Sequence, residues 1–137
     1  MTELRELKEI LLREGYTCVL SNGADTVTSR ARGVKPLLEF LDSGNYAGYY
    51  AADKVVGKAA AFLYVCMGIA ALHACVISEA AIDVCRKHGI AVGYDVATPH
   101  IINRKGDGFC PMEQTVAAID DPQAAKAAII AKIKAGI

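Results

Sequence analysis

Apolar positions 4, 7, 10 and 11 recur at helical spacing between charged residues, which predicts a first helix over residues 2–14. Thr2 is placed to cap that helix and Gly15 to stop it. The pattern then turns to short β-prone runs. Thr17-Cys18-Val19-Leu20 and Thr26-Val27-Thr28 flank an Asn22-Gly23 pair, which predicts a hairpin. Pro36 opens a short helix through Leu37-Leu38-Glu39-Phe40-Leu41, and Ser43-Gly44-Asn45 ends it. A strand over 48–52 is predicted to run into a nearly all-apolar helix from Lys54 to about Cys66. After Gly68 comes an interior strand over 71–77. Ser78 caps a helix that Gly89 ends, and 90–94 read as a third strand. This β-α-β-α-β order with short links predicts parallel strands with helices packed on them. Residues 97–113 form a long irregular connection, of the kind that carries function when ordered. Two helices follow, near 113–119 and at about 123–134, within a single domain spanning 1–137.

Composition narrows the function classes. Apolar residues are 53% and charged residues 22%, so the chain is globular. Fifteen acidic residues balance fifteen basic ones, and without a basic block nucleic-acid binding lacks its electrostatic footprint. The charged N-terminus does not read as a signal peptide. The apolar runs 59–66 and 67–72 are bounded by Lys58 and His73 and broken by Gly68, so they read as core rather than a membrane span. Five cysteines, none spaced as Cys-x-x-Cys, favour a reducing cytoplasm over a disulfide framework.

The candidate chemistry gathers at the strand-to-helix junctions, where helix N-termini and strand ends share a crevice. At the first, Asp53 is expected to cap a helix, with ligand contact as a second role. Lys54 and Lys58 are four apart and would share one helical face, while Gly57 in a helix interior suggests close approach of a backbone or ligand. At the second junction Ser78 is a cap and Glu79 a first-turn carboxylate; Asp53 and Glu79 would open onto one crevice and could serve acid–base chemistry. Cys110, in the long loop with His100, is either a packed thiol beside Phe109 and Met112 or a nucleophile near a helix N-terminus. Asn103, Arg104 and Glu113 could wall the crevice. Arg32 and Lys35 either bind phosphate or form a solvated turn, and no stretch is a P-loop.

Four motifs in order, Arg32-Gly33-Val34-Lys35-Pro36, Ala52-Asp53-Lys54-Val55-Val56-Gly57-Lys58, Val76-Ile77-Ser78-Glu79 and Asn103-Arg104 with Cys110-Pro111-Met112-Glu113, resemble a family of small bacterial proteins of unassigned function. The resemblance implies a cytidine-deaminase-like fold, a three-layer α/β/α sandwich with a mixed five-stranded sheet. A zinc deaminase would carry His-x-Glu or Cys-x-Glu at the first junction and Pro-Cys-x-x-Cys at the second. Neither is present, so no metal and no cofactor are expected. The expected function is binding of a nucleotide or similar phosphorylated small molecule, with group transfer left open. A non-catalytic oligomeric interaction module and a Cys110-dependent enzyme are the alternatives. The implied fold makes a homo-oligomer a reasonable expectation by analogy.

Overall fold

The computed structural model describes residues 2–31, 33–101 and 111–135. The elements run α1 (Thr2–Glu14), β1 (Cys18–Ser21), β2 (Thr26–Ser29), α2 (Lys35–Ser43), β3 (Tyr50–Val56) and α3 (Lys58–Met67). There follow β4 (Ala71–Ser78), α4 (Glu79–Lys87), β5 (Ala91–Thr98), α5 (Pro111–Val116) and α6 (Pro122–Lys134). The strands form one mixed sheet in the order β2-β1-β3-β4-β5. β1 pairs antiparallel with β2 and β3, whereas β3, β4 and β5 are parallel.

Adjacent residues of one strand explain the two cores. On one face, Leu7 and Leu11 of α1 pack on Val19 and Ala52. On the other, Leu20, Ala51, Leu72 and Ala74 meet α3 together with Leu37, Ile82, Val116 and Ile129. The faces are set by the two-residue period of a strand. That period slips at one level of the sheet, because the residues buried toward α3 run Ala51, Asp53, Val56 in β3 and Leu72, Ala74, Ile77 in β4. Beyond the slip, Val55, Val76 and Val96 lie in one register row, and Val55 and Val96 are 49% and 54% exposed.

The turn chemistry works as its residues suggest. Asn22 Oδ1 accepts the backbone N–H groups of Ala24 and Asp25 at 2.9 and 2.7 Å and shapes the hairpin. Ser78 Oγ accepts from Ala81 N at 3.1 Å, and Asp121 caps α6 through Ala124 N at 2.8 Å. Gly68 ends α3 in the left-handed region at φ 78°.

Several boundaries differ from expectation, among them α5, which runs Pro111–Val116 rather than 113–119, and one changes the chemistry. β3 continues through Asp53 and Lys54 to Val56, and α3 begins only at Lys58, with Gly57 as its N-cap residue. The β-branched pair Val55-Val56 favours continuing the strand, and Gly57 makes the break. Asp53 is therefore a strand residue rather than a helix cap, and Lys54 and Lys58 do not share a helical face. β5 is longer than expected, reaching Thr98, because at the sheet edge Asp95 keeps its charge in contact with water and Lys8.

Candidate functional site

The carboxyl ends of parallel strands are where α/β sheets open a crevice, and here the crevice is assembled from four places in the chain. A cleft of about 290 Å³ is lined by Lys58 from α3, Ser78 and Ala80 at the β4–α4 junction, Pro99, His100 and Ile101 after β5, and Glu113, Gln114 and Ala117. Its volume lies just below the usual range for ligand pockets, roughly 300–1,000 Å³. A second hollow of about 370 Å³ lies between α2 and α6 and is lined by no strand residue.

The N-terminus of α3 is already served from within the chain. Gly57 offers no capping side chain, so the free N–H groups of the first turn need an outside acceptor. Glu113 of α5 supplies it: Oε1 accepts from Lys58 N at 2.6 Å and Oε2 from Ala59 N at 2.9 Å. Gly57 makes this possible, since a Cβ there would overlap the Glu113 carboxylate. In return Lys58 Nζ donates to the carbonyl of Ala117, just past α5, at 3.0 Å. The two helices thus exchange caps, each end receiving charge of the sign its dipole favours. The same ammonium lies 5.7 Å from the centre of the Phe62 ring.

Asp53 belongs to a different cluster. It is 8% exposed, and its Oδ2 accepts from the Tyr64 hydroxyl at 2.6 Å, while Oδ1 accepts from Val55 N at 3.2 Å. Tyr64 Oη is also 3.2 Å from Cys18 Sγ, on the strand residue paired with Asp53. Burial pushes the Asp53 carboxyl up to about 7, against the Tyr64 hydroxyl and the backbone N–H groups of Val55 and Lys54, which pull it down. Burial also pushes the Cys18 thiol far above its ordinary range, and the Cys85 thiol up to about 11. In native protein, a chromogenic disulfide reagent should modify half-buried Cys66 and Cys75 while Cys18 and Cys85 stay protected until unfolding. Early labelling of Cys18 would contradict this packing.

Of the residues singled out from the sequence, Lys58, Ser78 and Glu113 line one cleft. Asp53, Lys54, Glu79 and Lys35 do not line it: Asp53 is inside the core, Lys54 is in β3, Glu79 is on the exposed first turn of α4, and Lys35 opens α2. Arg32, Asn103, Arg104 and Cys110 lie outside the described residues. Gln114 joins the cleft without having been singled out; its position one residue after Glu113 in a short helix was the available signal. Among the described residues there is no grouping of three or more His, Cys, Asp or Glu side chains that could hold a metal ion. Nor, among them, is any helix long and apolar enough to cross a membrane.

Residues 6–133 match the family model TM1506, described as a domain of unknown function, DUF1893. No curated protein matches the chain. Among solved structures it is similar to the DUF1893 family protein TM1506 from Thermotoga maritima, with 29% identity and a TM-score of 0.89. That match covers 96% of this chain and 91% of the other. An α/β chain whose mixed five-stranded sheet and sequence both align with that family over nearly their whole length belongs to the DUF1893 family.

Proposed function

We propose that the cleft at the carboxyl ends of β3, β4 and β5 binds a small phosphorylated molecule, of about the size of a nucleoside monophosphate or a sugar phosphate. The observation that carries this reading is the convergence of the Lys58 ammonium, the Ser78 hydroxyl and the first turns of α3 and α4 on one small cleft. Glu113 stands where a phosphate would sit against α3, as an internal anion on the same N–H groups. An incoming phosphate competes with it. The deaminase-like architecture implied by the sequence motifs belongs to this reading, and chemistry beyond binding, such as group transfer, is a further step within it.

The test is thermal unfolding with a nucleoside monophosphate, a sugar phosphate and inorganic phosphate. A ligand at a hundred times its Kd adds about 2.7 kcal/mol. That gain should disappear in Lys58→Ala and increase in Glu113→Gln, which removes the competing charge. No stabilisation by any of the three at millimolar concentration sinks the reading.

A second reading rests on the caps themselves. Ser78, Glu113 and Lys58 all have hydrogen-bond partners within the chain, as expected of a non-catalytic interaction module whose polar junctions only finish helices. Under that reading Lys58→Ala lowers stability slightly and no phosphate alters it.

A further inference from the structure

The two edges of the sheet are built differently. β2 is four residues long and polar, Thr-Val-Thr-Ser, which suits an edge that stays unpaired. β5 is eight residues long, contains no Lys or Pro, and exposes Tyr94 and Val96 at 39% and 54%. Ala91 N donates inward to the carbonyl of Ala70 at 3.1 Å, so the alternation of strand backbone turns the N–H and C=O of Val92 and Tyr94 outward. Among the described residues, no backbone bond reaches them from that side.

We infer that this edge pairs with β5 of a second copy of the chain, antiparallel across a two-fold axis through Tyr94, to make one continuous ten-stranded sheet (five strands from each copy). Charge selects both the occupant and the register. The strand has one charged residue, Asp95, and the chain has no net charge, so two copies meet without long-range repulsion. The two most central residues of β5 are Tyr94 and Asp95. A two-fold at Asp95 would set like charges directly opposite each other, which is destabilising. A two-fold at Tyr94 makes a backbone-bonded tyrosine pair and brings Asp95 over the partner's Gly93. A Cβ at Gly93 would lie 3.6 Å from His73 Nδ1, so each carboxylate arrives beside a histidine. Asp95 is already held by Lys8 at 2.8 Å, with His73 Nε2 at 3.5 Å, so an acid–base group forms on each side of the axis. This assembly does not depend on whether the cleft binds a ligand.

Sedimentation of the full chain across micromolar to millimolar concentrations should show a reversible dimer. Tyr94→Lys, a change at an exposed edge position, should keep the far-ultraviolet spectrum and weaken the dimer by about tenfold or more. Tyr94→Cys should give a covalent dimer on mild oxidation, because a hydrogen-bonded antiparallel pair holds its Cα atoms about 5.5 Å apart, within disulfide reach. Wild-type protein oxidised in parallel controls for the native thiols. A chain that stays monomeric throughout overturns the inference, as does a dimer that Tyr94→Lys leaves intact. Failure of Tyr94→Cys to cross-link an existing dimer overturns the register.

Discussion

Asp53→Asn should make the protein more stable at pH 8, by up to about 4 kcal/mol, which is on the order of 10 °C in Tm. The sign follows from the buried carboxyl. In the unfolded chain it titrates near 3.9, and in the folded chain burial raises it to about 7. Between those values the folded protein holds a proton that the unfolded chain has released. Stability is therefore fully present below about pH 4 and falls by about 1.4 kcal/mol per pH unit until the folded carboxyl has ionised above pH 7. An asparagine keeps a carbonyl oxygen for the Tyr64 hydroxyl and carries no charge at any pH. Urea unfolding from pH 4 to 9 should show a falling profile for wild type and a flatter one for Asp53→Asn, the two converging at pH 4. Tyr64→Phe removes a donor that stabilises the ionised carboxylate, so its decline should extend to higher pH. A wild-type profile that is level from pH 4 to 8 would refute this account of Asp53.

Gly57→Ala and Glu113→Ala should each cost about 2 kcal/mol, and the double variant little more than either alone. Gly57 has extended backbone, φ −96° and ψ −179°, which alanine adopts freely. The entire penalty of Gly57→Ala is therefore the displaced carboxylate and its two charge-assisted bonds to Lys58 N and Ala59 N. Glu113→Ala removes the same bonds from the other side. Denaturant melts of the four proteins give a coupling energy close to one single-variant loss. Additive losses would mean that Gly57 and Glu113 act separately.

What the sequence disclosed about this fold depended on how local its cause was. α4 is bracketed by Ser78 and Gly89, both acting within a few residues, and its position was legible. The hairpin at Asn22-Gly23 was legible for the same reason. The β3–α3 junction was misplaced because Asp53-Lys54 has the polarity of a helix start, while the partner that lets Asp53 stay in a strand, Tyr64, lies eleven residues away on α3. Glu113 was recognisable as a polar group near the crevice. Its contact with α3 bridges fifty-five residues, and no local pattern announces it. The cap that Gly57 lacks was the one available hint, visible only once the helix start was known.

The exchange of caps between α3 and α5 also sets an order of completion. A chain is made from its N-terminus, so all five strands emerge from the ribosome before Pro111 does. At that moment α3, the helix at the centre of the larger core, has neither an acceptor for its first-turn N–H groups nor the cover that Ala125 and Ile129 of α6 provide. The sheet can find its register early, but its central helix is sealed last. A nascent chain paused in that interval presents an open apolar flank, and that flank is what a chaperone or protease would meet.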